Sequence, residues 1–273
     1  MANLYHSIAF VFLSFTVASA GRIDTISVPS KAMQQTFNAL IIRPEPSILA
    51  EKRYPVLYLL HGHSSDFAGW TYIAEQLKEW ADQYQMIIVC PDGDYDSWYL
   101  DSPAQPNRRF EHYLIKEFIP FIDRNYPTIG QALMRGITGV SMGGHGAVYL
   151  SLKNPEVFGI TGTISGALDI LPFSTEWNLE KLLGNKSSNE QRWKNYSVYY
   201  LLDRYCRPDL VLRIDCGTDD FFLEVNRKVH RKLLDFNVSH QYVESPGGHD
   251  IPYWTRAIEQ QMRFFGMYWA SKN

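Results

Sequence analysis

Ser141 stands in Gly139-Val140-Ser141-Met142-Gly143, a G-x-S-x-G pattern, and two partners of suitable type follow it in the chain. One is a carboxylate within Asp215-Cys216-Gly217-Thr218-Asp219-Asp220, the other a histidine in Gly247-Gly248-His249. A serine hydroxyl is a weak nucleophile at neutral pH. It becomes reactive when an imidazole takes its proton and an acid holds that imidazole in the right tautomer. Glycines two places before and after the serine let neighbouring backbones pass closely, so the hydroxyl stands exposed on a tight strand-to-helix turn. The chemistry indicated is attack on an acyl carbon. The oxyanion so formed needs backbone N–H donors, and the expected pair is Met142, directly after the nucleophile, and His63, from the loop His61-Gly62-His63.

Among 8 histidines His249 is the best placed base, because it follows a strand in the loop set where such a group must converge on Ser141. The acid has three candidates. Asp215 still belongs to a strand end and can point into the scaffold, whereas Asp219 and Asp220 are adjacent and only one can face the histidine. Asp220, three residues past Gly217, is favoured, with Asp219 the alternative. His61 and His63 lack a third ligand in a matching loop, and none of the 3 cysteines forms a C-x-x-C pair, so no metal or other cofactor is expected.

The elements that must position these groups are legible as apolar runs. Strands are expected at 37–42, 56–60, 86–90, 160–164, 210–214 and 240–243, with another leading into Ser141. Helical spacing marks 70–80, 109–125 with a kink at Pro120, the segment after Ser141, 225–233 and 252–270. Alternation of this kind predicts an α/β fold, a mostly parallel central sheet flanked by helices, with ligands beyond the strands' carboxyl ends. The stretch 169–205 breaks the rhythm and reads as an insertion over the active site, a lid or pocket wall. Its Trp177 and Trp193, together with Trp98 of the 94–107 loop, are expected to contact substrate.

A chain of 273 residues with 45% hydrophobic content suits one domain, expected over 21–273. Its net charge of -3 carries no footprint for nucleic acid. The short apolar run 8–18 and the A-x-A pattern Ala18-Ser19-Ala20 predict an export signal over 1–20, cleaved after Ala20, and hence a secreted or periplasmic protein. No later segment is apolar for long enough to span a membrane.

The segments LYLLHGHSSDFAGW, SWYLDSP, GVSMGGHGA, IDCGTDDFFL and GGHDIPYW together resemble the Putative esterase (esterase D-like) family of α/β-hydrolases. That family includes feruloyl and acetylxylan esterases, tributyrin-type esterases and S-formylglutathione hydrolases. The resemblance runs from about residue 35 to 270. It implies an α/β-hydrolase fold, Ser141 as nucleophile, His249 as base, His63 and Met142 as oxyanion donors, and selects Asp220 as the acid. It also implies ester hydrolysis through an acyl-enzyme, with no cofactor and a small-molecule or carbohydrate ester as partner. Export and the aromatic insertion direct the expectation to acetyl or feruloyl groups on carbohydrate. The alternatives are transfer to a sugar hydroxyl and a formylglutathione-type thioesterase. A binding module on an inactive scaffold is disfavoured, because such scaffolds usually lose a member of the set retained here.

Overall fold

The apolar runs VLYLL and IIVCP are wholly buried, as strands covered on both faces of a sheet must be. The computed structural model describes residues 21–45 and 52–272, so the expected export segment 1–20 lies outside the described residues. Eight strands, β1 (Arg22–Ser30), β2 (Gln35–Arg43), β3 (Val56–Leu60), β4 (Ile87–Pro91), β5 (Arg135–Gly139), β6 (Ile160–Ile164), β7 (Leu212–Gly217) and β8 (Gln241–Ser245), form one sheet in the order β1-β2-β4-β3-β5-β6-β7-β8. The pairs β1·β2 and β2·β4 are antiparallel and every other pair is parallel. Strand β1 went unread in the sequence. It is an edge strand with mostly exposed, alternating polar residues, and lacks the apolar run that marks the interior strands.

Helices connect the strands: α1 (Gly69–Ile73), α2 (Leu77–Tyr84), α3 (Phe110–His112), α4 (Ile119–Asn125), α5 (Met142–Lys153), α6 (Leu179–Leu183), α7 (Glu190–Lys194), α8 (Val198–Tyr205), α9 (Leu223–Asp235) and α10 (Ile251–Ala270). The helix expected over 70–80 is two, α1 and α2, separated at Ala74. Immediately before Pro120, where a kink is expected, the helix carries a π-helical segment, Tyr113–Phe118, between α3 and α4. Proline has no N–H to return to the preceding turn, and the N–H of Ile119 reaches back five residues to the Leu114 carbonyl.

Alternation along the strands sends side chains into two cores. Tyr58, Leu60, Ile87 and Val89 face one cluster with Tyr149 of α5 and Val229 of α9. Leu57, Leu59, Ile88 and Cys90 face the other, with Trp80 of α2 and Phe265 of α10. The 169–205 insertion joins the first core through Leu179, Leu182, Trp193, Val198 and Leu202, so it is anchored as a wall. On α5, His145 is fully buried, and its Nε2 lies 2.8 Å from the Tyr196 carbonyl oxygen, which can only accept. The insertion is thereby tied to the helix that follows Ser141.

Burial lowers the His145 pKa from 6.5 to about 4, against the opposing effect of its carbonyl partner. The unfolded chain therefore takes up a proton at this residue before the folded chain does. The stability that comes from keeping it neutral is complete above pH 6.5 and is lost as the pH falls toward 4. This single group accounts for a loss of roughly 3 kcal/mol across that window. Urea unfolding at neutral pH and near the lower end should show the loss in the parent, and a correspondingly smaller one in His145→Gln. Parallel pH dependence in the two proteins would contradict the assignment.

Candidate active site

The turn that carries Ser141 is built from backbone. Register between β3 and β5 pairs Leu60 with Gly139, so the loops leaving the two strands emerge side by side. A Cβ at Gly139 would lie 2.5 Å from the Gly143 backbone, and one at Gly143 would overlap the carbonyl oxygens of Leu60 and His61. Only glycine permits that approach. Ser141 itself takes φ 58° and ψ −117°, a strained conformation costing about 1–3 kcal/mol. It is held by hydrogen bonds from the Ser141 N–H to the Ile164 carbonyl and from the Gly143 N–H to the Val140 carbonyl, at 3.0 and 2.8 Å.

Ser141, Asp220 and His249 come together. His249 Nε2 is 2.9 Å from Ser141 Oγ, and His249 Nδ1 is 2.9 Å from Asp220 Oδ2. The Asp220 side chain is wholly buried, and its other oxygen accepts from the Phe222 N–H at 2.8 Å. A carboxylate engaged in this way accepts from Nδ1–H, which leaves Nε2 with a free lone pair toward the serine hydroxyl. The loops after β7 and β8 are zipped together by the Thr218 N–H on the Ser245 carbonyl and the Asp219 N–H on the Gly247 carbonyl. This pairing leaves the Asp219 side chain exposed. Asp215 turns into the scaffold, accepting from Arg213 and Gln261, and burial raises its pKa.

Met142 is the first residue of α5, whose leading N–H groups lack intrahelical acceptors. Gly62 packs beside Ser141, a Cβ there falling 3.5 Å from the serine Cβ, so His63 enters the same space. Among the described residues neither the Met142 nor the His63 N–H donates to a backbone carbonyl. Burial lowers the His63 pKa, against the pull of Asp96, and its ring meets Tyr95 edge-on. Both ring nitrogens of His61 are engaged: Nδ1 with the Gly62 carbonyl, and Nε2 accepting from the Gly93 N–H.

The 92–101 segment braces all of this, a role that its residue pattern does not reveal. Tyr99 Oη donates to the His61 carbonyl, and the Ser64 N–H donates to the Tyr95 carbonyl. The Trp98 N–H points at Met142 Sδ from 3.4 Å. Trp98 and Tyr99 have φ of 55° and 58°, rare for bulky residues and invisible in a residue pattern.

A cavity of about 480 Å³ opens over Ser141. Gly62, His63, Val140, Ser141 and His249 form its base, and Tyr72, Ile73, Trp177, Phe221, Ile251 and Trp254 its sides. Among the described residues no Asp, Glu, Lys or Arg lines it. Of the three tryptophans expected to contact substrate, only Trp177 does line it. Trp193 is wholly buried and donates from Nε1 to the Gly184 carbonyl, because an insertion of this size takes its largest ring for its own core. Trp98 is 1% exposed and stands behind Trp177. Tyr72, Phe221, Ile251 and Trp254 were missed. Trp254, in the first turn of α10, was signalled by its nearness to His249 in the chain.

The chain matches the model of the family described as Putative esterase over residues 30–265. It is 27% identical over 190 residues to the S-formylglutathione hydrolase of Bos taurus, covering 62% of this chain and 65%, just under two thirds, of that protein. It is 26% identical over 237 residues to an acetyl esterase of Caldicellulosiruptor saccharolyticus, covering 79% of this chain and 83% of that one. A solved ferulic acid esterase superposes with a TM-score of 0.78 at 25% identity, over 92% of this chain and 100% of its own.

The two adjacent carboxylates give a sharp contrast. Asp220→Asn should lower kcat on an activated ester by about 10⁴, since the amide supports the wrong imidazole tautomer. Asp219→Asn should stay within about twofold of the parent, as expected of a side chain in solvent. The reverse order in steady-state kinetics would overturn the assignment.

Proposed function

The chain belongs to the Putative esterase family, and from that membership and the geometry around Ser141 we propose that it is a serine carboxylesterase. The observation that carries the reading is the continuous relay from buried Asp220 through His249 to Ser141, with both contacts at 2.9 Å and its His249–Ser141 end on the floor of the cavity. Ser141 Oγ attacks the ester carbonyl carbon as its proton passes to His249 Nε2. The carbonyl oxygen becomes an oxyanion between the N–H groups of His63 and Met142. Collapse breaks the bond to the alcohol, which leaves with the proton from Nε2, and an acyl group remains on Ser141. His249 then deprotonates a water that attacks this ester, and the acid departs.

The substrate proposed is a neutral ester, an acetyl or feruloyl group on carbohydrate. Similarity to an acetyl esterase and to a ferulic acid esterase supports it. The uncharged, aromatic lining supports it as well, because a glutathione thioester brings carboxylates that would find no counter-charge there. Work outside the cytoplasm is proposed on the apolar run 8–18 and the Ala18-Ser19-Ala20 pattern.

Initial rates on p-nitrophenyl acetate, methyl ferulate and S-formylglutathione test the substrate. At least one of the two neutral esters should exceed the thioester by about tenfold or more in kcat/KM. Ser141→Ala should lower kcat on the best ester by about 10⁴–10⁶. Full activity in that variant would end the mechanism, and preference for the thioester would end the substrate assignment.

A further inference from the structure

Trp177 is the only residue of the 169–205 insertion in the cavity wall, and it is held in an unusual way. Trp177 and Asn178 both have positive φ, 47° and 60°, a conformation that a tryptophan adopts rarely and keeps only when its surroundings impose it. Two of the restraints on this pair come from the 94–101 loop. Trp98 Nε1 donates to the Trp177 carbonyl at 3.2 Å, and Asn178 Nδ2 donates to Asp96 Oδ2 at 2.8 Å. Asp96 is in turn fixed by Arg108 at 2.5 Å. Through the Ser64 N–H on the Tyr95 carbonyl, the same loop holds the segment that carries His63. One loop thus sets the distance across the cavity between the oxyanion side and the Trp177 side.

What it holds there is a flat apolar surface. The Trp177 indole stacks on Phe221, with centroids 5.7 Å apart and planes at 18°, and Phe221 lies 4.3 Å from the His249 ring. The surface therefore runs from the base outward to solvent, where Phe221 is half exposed. We propose that Trp177 is a specificity-determining residue that receives a planar apolar group of the ester, and that Trp98 and Asn178 are positioning residues that hold it in place. The proposal rests on the esterase reading for its kinetic consequences but not for its binding consequence.

Two esters separate the effect from general damage: methyl cinnamate, which carries a ring on its acyl side, and ethyl acetate, which carries none. Trp177→Ala should raise KM for methyl cinnamate about tenfold. Trp98→Phe, which keeps a ring but loses the N–H, and Asn178→Ala should each raise it about fivefold, as expected for loss of one hydrogen bond. For all three variants kcat/KM on ethyl acetate should fall at least about threefold less than kcat/KM on methyl cinnamate. Equal losses on both esters, or no change on methyl cinnamate, would overturn the proposal. Titration of methyl cinnamate into Ser141→Ala and Ser141→Ala/Trp177→Ala adds a readout free of turnover, and the second protein should bind about tenfold more weakly. If the parent hydrolysed neither ester, the esterase reading would fail. The wall would then stand or fall on that titration, equal affinity in the two proteins overturning it.

Discussion

The close backbone approach between Gly143 and the carbonyls of Leu60 and His61 is the constraint on which the site depends. It brings the loop after β3 against the start of α5, and so places His63 beside Met142 and Ser141. A side chain at either elbow glycine would push the two loops apart, and the His63 and Met142 N–H groups proposed as oxyanion donors would no longer converge. The strained φ of Ser141 follows from the same packing. The parallel register of β3, β5, β7 and β8 then delivers Asp220 and His249 from residues far along the chain to the same edge of the sheet. No single element holds the site, because each contributes one loop.

Around this edge the two buried carboxylates are engaged and the cavity sides are largely apolar. Asp220 is sealed from water and satisfied by the Phe222 N–H and the His249 ring, so its charge has one orientation available. Asp215, only five residues earlier, is equally buried, but it faces Arg213 and Gln261 and serves the scaffold. Neither carboxylate lines the cavity. Tyr72, Trp177, Phe221 and Trp254 do, with the 92–101 loop fixing the spacing between the His63 side and the aromatic side.

Much of this was legible in the residues. Ser141, His249 and the fold class follow from a glycine-flanked serine, continuous apolar strands and partners in the expected order, since each of these is a local pattern. Asp220 was separable from Asp219 only by resemblance, because which of two neighbouring side chains turns inward depends on how the loops after β7 and β8 pair. The tryptophans misled for a similar reason. An indole in an insertion can line a cavity or fill a core, and composition does not distinguish Trp177 from Trp193. Strand β1 and the left-handed residues Trp98 and Tyr99 left no mark, since an exposed edge strand lacks an apolar run and positive φ in bulky residues arises from tertiary contacts.

The central claim is that the Ser141 hydroxyl, relayed through His249 to Asp220, accepts the acyl group. Mixing the protein with excess p-nitrophenyl acetate, quenching in acid within the first turnover and sequencing the peptides by mass spectrometry tests it directly. The expected product carries an acetyl group on Ser141. Release of nitrophenol with Ser141 unmodified and the acetyl group on another residue, or on none, would contradict it.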